Sequence, residues 1–196
     1  MSGFAGTGAM LRLALRRDRV LLPVWVAVFV LSAWSSAAAT IDLYPAEASR
    51  RAAVAAVNDL PSLLAFYGRV WEPTLGALSM VKMTAMGTAL LAVLAIVLVV
   101  RHTRGEEEAG RLELLGATVV GRRAPLAAAL LLVTLAMAAI GSLTALSLMA
   151  SGLPAAGSWA FGLGWMLTGL VFAAVAAVTA QVSATSRAAT GAALVV

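Results

Sequence analysis

APLAAALLLVTLAMAAIGSLTALSLMASGLPAAGSWAFGLGWMLTGLVFAAVAAVTAQVSATS, residues 124–186, contains no charged side chain. About 20 apolar residues cross the hydrocarbon core of a bilayer, so this run is too long for one span and long enough for two. The stretch from Ser151 to Gly157, SGLPAAG, divides it, because glycine and proline punctuate helices and make turns. The expected spans are 124–150 and 158–182. Toward the N-terminus two more uncharged runs satisfy the same length rule, 83–100 and 20–41. The run 20–41 is longer than the apolar core of a signal peptide and carries Trp25 and Trp34. It reads as an uncleaved anchor, with a signal peptide ending near Ala37-Ala38-Ala39 as the competing reading.

Composition agrees. Hydrophobic residues make up 62% of the 196-residue chain and charged residues 12%, against roughly 45–50% and 25% in soluble domains. An ordinary soluble domain, a disordered chain and a collagen-like fibre are all excluded. There is no cysteine, which excludes thiol enzymes, disulfide scaffolds and Cys-ligated metal sites, and the single histidine is His102. The net charge is +5. Its arginines lie in short clusters beside the apolar runs, the distribution of a membrane protein rather than of a nucleic-acid-binding face.

Between and around the spans lie three longer polar segments. In residues 1–19, Arg12, Arg16 and Arg19 recur at helical spacing opposite Met10, Leu11, Leu13, Ala14 and Leu15, which predicts an amphipathic helix in the membrane interface, with a basic flank for the first span as the alternative. Residues 42–82 form a loop long enough to hold short helices of its own. Its LPSLLAFYGRVW stretch carries Tyr and Trp, residues that anchor at membrane surfaces. Lys82 reads as a snorkelling side chain at a membrane edge, with an intramembrane transport charge as the alternative. Residues 101–123 form a charged loop, and 188–196 read as the start of a truncated fifth span. Arginine near the membrane ends favours a cytoplasmic N-terminus.

Several chemistries can be set aside. GATVVGRR, residues 116–123, imitates a phosphate-binding loop but has Arg122 and Arg123 where Lys and Ser/Thr are required. No Asp, Glu or His falls within the four expected spans, so an intramembrane enzyme has no acid, base or metal ligand there. Ser142, Thr144, Ser147 and Thr168 are expected to hydrogen-bond between helices. The expectation is no enzyme, no metal and no directly bound cofactor.

The segment RHTRGEEEAGRLELL, residues 101–115, is different in kind. Thr103 and Glu106 have capping-box spacing, Glu106, Glu107 and Glu108 fall in a first helical turn, and Glu107 and Arg111 are spaced to pair. Gly116 suits a helix stop. Orientation in the membrane needs only basic residues, so four glutamates in an ordered helix point to a docking surface for a soluble partner, with a solvated linker carrying ordinary topogenic arginines as the competing reading.

The longer stretch RHTRGEEEAGRLELLGATVVGRR resembles the first cytosolic loop of ABC-type export permeases. It looks most like the branch that exports polyketide antibiotics, the tetronasin-resistance-like permeases. The resemblance rests on Arg101, Thr103, Arg104, Glu106, Glu107, Glu108, Gly110, Arg111, Glu113, Leu114, Leu115, Val120, Gly121 and Arg122. Tyr44-Pro45, Arg50-Arg51 and Thr74-Leu75-Gly76 add to it.

The resemblance implies an all-α, polytopic permease subunit or half in the cell membrane, exporting hydrophobic compounds such as polyketide antibiotics or drugs. A separate ATP-binding subunit, carrying ATP and magnesium, docks on a coupling helix. A second permease half or a second copy completes the pathway. Arg104, Glu106, Glu107, Glu108, Arg111, Glu113 and Leu115 are then the expected coupling residues, and Arg12, Arg16 and Arg19 mark the interfacial helix. Members of the family have six spans per half, whereas this sequence shows four and the start of a fifth. The alternative is an integral membrane assembly or regulatory protein that transports nothing. Nucleic acid is not an expected partner.

Overall fold

The computed structural model describes residues 3–110 and 120–195. Among the described residues all regular structure is helical: α1 Thr7–Arg17, α2 Leu21–Leu43, α3 Glu47–Asn58, α4 Pro61–Tyr67, α5 Leu75–His102, α6 Arg104–Glu108, α7 Ala124–Ala150, α8 Ala155–Val182 and α9 Ser186–Leu194. Helices α2, α5, α7 and α8 contain 23, 28, 27 and 28 residues. At about 1.5 Å per residue the shortest is about 35 Å long, enough to cross a hydrocarbon core of about 30 Å. All four are apolar enough to do so, and they are apolar around the whole circumference, as lipid-embedded helices are. The chain is a polytopic helical membrane protein.

The chain forms two compact units. One comprises residues 1–24, 91–138 and 167–196, the other 25–90 and 139–166. In the first unit the buried positions recur at helical spacing: Leu91, Ala95 and Val99; Leu132, Val133 and Met137; Ala173, Ala176 and Ala180; Ala189 and Ala193. Alanine dominates because lipid offers apolar side chains no drive to leave it, so helices associate through close approach. At Gly169 a Cβ would collide with the Met137 side chain. Leu131, Leu135, Val171, Val178 and Val182 face outward.

The second unit is built on the same logic with aromatic filling. Trp165 is buried and meets Phe29 edge-on with centroids 5.4 Å apart and Phe161 at 4.7 Å. Gly87 leaves room for the Trp165 ring. Gly141 and Gly162 bring α7 and α8 together: a Cβ on Gly141 would lie 2.5 Å from the Gly162 carbonyl oxygen. Ser36 of α2 donates its hydroxyl to the Ser79 carbonyl of α5 at 2.6 Å, a bond between helices. Ser147, expected to bond between helices, donates instead to the Thr144 carbonyl of its own helix. In lipid the nearest carbonyl is one turn back, and it satisfies the hydroxyl without a partner helix.

Helix ends explain where the elements begin and stop. Thr74 accepts the Ala77 N–H, so α5 starts at Leu75 and carries Lys82 on an exposed face. A charge-based reading, which begins the span at Met83, stops short there because a lysine stem tolerates a helix near the membrane edge. Helix α7 ends in a Schellman motif: Gly152 has φ +86°, its N–H donates to Met149, and the Leu153 N–H reaches back to Leu148. Pro154 then lets α8 start at Ala155, ahead of the expected residue 158.

Candidate functional site

The first unit holds the charged loop. Helix α1 is amphipathic, with Ala14 buried and Arg12 and Arg16 exposed. Arg19 is also exposed but lies beyond the helix, which ends at Arg17. The expected stripe of three arginines is therefore two on the helix and one after it. The helix stops because Asp18 turns the chain. Its N–H donates to the Ala14 carbonyl, and its own carbonyl accepts from Leu22 at the start of α2.

Asp18 is the residue that the pattern of spans and clusters did not single out. Its side chain is fully buried. His102 Nε2 lies 2.5 Å from its Oδ2, and an Arg101 guanidinium nitrogen lies 3.1 Å from its Oδ1. With the Asp18 oxygen taken as acceptor, Nε2 is assigned the proton of that hydrogen bond. The cluster fastens the α1–α2 junction to the end of α5. The available signal was the one acid in Arg16-Arg-Asp-Arg19, at the mouth of a span, where a carboxylate must find cations or pay for desolvation.

Helix α6 is braced from two sides. Arg17 pairs with Glu106. Glu108 accepts from the Ser186 N–H and from its hydroxyl, both at 2.6 Å. These two bonds hold the Glu108 carboxyl below the usual carboxylate range, with Arg104 and Arg187 adding smaller attraction. A lowered native value means the contact contributes fully at neutral pH and is lost as pH falls through that lowered value. Glu107 and Glu108 are both exposed, and Glu107 pairs with Arg104, a neighbour three residues away.

The capping box does not form. Thr103 donates its hydroxyl back to the Val99 carbonyl at 2.7 Å and caps nothing. Thr103 is buried at the end of α5, so its side chain continues that helix's pattern rather than opening the next. Arg111, Glu113, Leu115, the expected Glu107–Arg111 pair and the Gly116 stop lie outside the described residues. At the far end of the loop, Gly121 and Arg123 donate N–H bonds to the Ala5 and Gly3 carbonyls, each 2.9 Å. Arg123 also stacks over Phe4, 5.9 Å from the ring centroid. Both ends of the loop are thus tied to the N-terminal segment.

The second unit contains a cavity of about 850 Å³. Met80, Leu148, Leu153 and Phe161 line it, with Glu47, Arg50 and Glu72 among them. Arg50 is held in place by the carbonyls of Tyr44, Pro45 and Pro73. A volume of this order, mostly apolar with a few polar groups, suits a small amphipathic molecule. Among the described residues no cluster of His, Cys, Asp and Glu could hold a metal ion.

Over 187 residues, 95% of its length, the chain is 46% identical to part of the multidrug efflux system permease protein Rv1217c of Mycobacterium tuberculosis (strain ATCC 25618 / H37Rv). The chain spans 34% of that relative's length. No protein-family model matches the chain.

Proposed function

We propose that the chain is part of the membrane-spanning permease of an ATP-driven ABC exporter. The observation that carries this reading is the similarity to a multidrug efflux permease along nearly the whole chain. A charged helix braced at the end of a spanning helix supports it. In this reading α6 and the residues that follow it receive a separate ATP-binding subunit, which brings ATP and magnesium. Residues 101–123 and the N-terminus face the cytoplasm of the cell. A second permease half or copy completes the pathway, and the cargo is a hydrophobic or amphipathic small molecule, polyketide antibiotics among the candidates. In this reading ATP hydrolysis belongs to the ATP-binding subunit.

The expected coupling set divides into two roles. Glu106 and Glu108 hold α6 against Arg17 and Ser186. Glu107 and Arg104, together with Arg111, Glu113 and Leu115, meet the partner. Movement of the docked subunit then reaches α5 directly through α6, and α1 through the Arg17–Glu106 pair.

The test is Glu107→Arg in the intact protein, purified from its native membranes with whatever ATPase accompanies it. Retention of the ATP-binding subunit is expected to fall by about tenfold or more, equivalent to about 1.4 kcal/mol. Drug export is expected to fall with it, while membrane insertion stays normal. Unchanged retention and export in this variant remove Glu107 from the docking surface. Absence of any co-purifying ATPase from the unaltered protein overturns the exporter reading as a whole.

A further inference from the structure

We propose that Leu60–Trp71, between α3 and α5, is a clamped membrane-surface anchor whose apolar side chains insert among lipid headgroups. From Leu60 to Gly68 there is no charged residue, and everything turned outward there is apolar except Ser62 and the Gly68 backbone. Leu60 is 50% exposed, Phe66 60% and Trp71 82%. Water is a poor solvent for such a surface, and an unanchored loop would fold it away.

This loop is held open instead. Asn58 closes it with two bonds: its side-chain amide donates to the Val70 carbonyl at 2.8 Å, and its carbonyl oxygen accepts the Val70 N–H at 3.0 Å. Val70 is buried beneath the clamp. Gly68, at φ +78°, ends α4 by donating to the Leu64 carbonyl. Only glycine adopts that turn without strain. The Phe66 and Tyr67 rings meet edge to face at 4.9 Å, which fixes both.

Two observations make lipid the occupant. The first is place. The segment lies between two spanning helices, and Trp71 is four residues before Leu75, within about 14 Å of chain from the start of α5. The second is chemistry. Leu, Phe, Tyr and Trp with one arginine is the composition of membrane interfaces. The Arg69 guanidinium stacks over the Trp71 ring at 5.1 Å, where its remaining donors suit lipid phosphates. The anchor fixes the depth of the segment between α2 and α5, and it does so whichever side of the membrane that segment occupies.

The chain holds no cysteine, so Phe66→Cys and Trp71→Cys each create one labelling site. Both side chains are exposed, so the changes leave the buried Val70 and its clamp in place, while Phe66→Cys gives up the ring contact with Tyr67 and Trp71→Cys the stacking of Arg69. An environment-sensitive fluorophore is attached at each, and the protein is placed in nanodiscs of phosphatidylcholine with phosphatidylglycerol. Blue-shifted emission is expected, with most of it lost to lipids spin-labelled near the headgroup and little lost to aqueous iodide. Loss to iodide, with the spin-labelled lipid without effect, places the side chains in water and overturns the proposal in favour of a protein-binding surface. Adding Asn58→Ala is expected to raise iodide quenching at both positions. Unchanged lipid protection in that variant overturns the role of the clamp.

Discussion

Replacing Asp18 with alanine is expected to cost about 3–5 kcal/mol of stability, the penalty for removing one partner from a buried charge cluster. The carboxylate is fully buried and meets two cationic or potentially cationic side chains, His102 at 2.5 Å and Arg101 at 3.1 Å. His102 is itself only 7% exposed, so its ring N–H has no water to turn to once the carboxylate is gone. Arg101 is partly exposed and can reach solvent, which keeps the cost at the lower end of the range. Asp18→Asn separates charge from hydrogen bonding. Its amide oxygen still accepts from His102, so its cost is expected to fall between the wild type and the alanine variant. Unfolding followed by intrinsic fluorescence in lipid nanodiscs measures both. An alanine variant within about 0.5 kcal/mol of wild type, the range of an ordinary surface change, would show that Asp18 does not lock the α1–α2 junction to α5.

That cluster marks the limit of what periodicity and charge counting can reach. The four spans are legible because each is a long uncharged run, and their interruptions carry Gly or Pro, as at Ser151–Gly157. Their ends are less legible. Lys82 looks like a boundary in the sequence yet sits within α5, because the helix is set by the Thr74 cap and not by charge. Local patterns were the least reliable guide. Thr103 and Glu106 have capping-box spacing, but spacing does not reveal that Thr103 is buried and already bonded to Val99. Two of the three glutamates find their partners at sequence distances of 89, Arg17 with Glu106, and 78, Ser186 with Glu108. No local rule connects residues so far apart. The resemblance singles out residues 101–123, but which glutamates brace α6 depends on those distant partners.

The second large effect is expected at the crossing of α7 and α8. Glycine in a helix interior costs about 1 kcal/mol relative to alanine, so Gly162 is tolerated there for a packing reason. A Cβ at that position would strike the Gly141 carbonyl oxygen and press on the Ala145 Cβ at 3.2 Å. The obstacle is backbone on one side and a rigid methyl on the other, so neither can swing away as a long side chain could. Gly162→Leu must therefore push the two helices apart. In lipid no hydrophobic gain compensates for the lost contacts, since a leucine is equally at home facing acyl chains. A cost of about 3 kcal/mol or more is expected, at or beyond the upper end for overpacked sites. Trp165, buried one turn along α8 between Phe29 and Phe161, should become more accessible in the same variant. Gly164→Leu is the control: a Cβ there meets nothing within 4 Å, so its stability should stay close to wild type or rise by the helix propensity gained. Equal effects at the two glycines would mean that the crossing is loose, and that the close approach of α7 and α8 is not what holds this unit together.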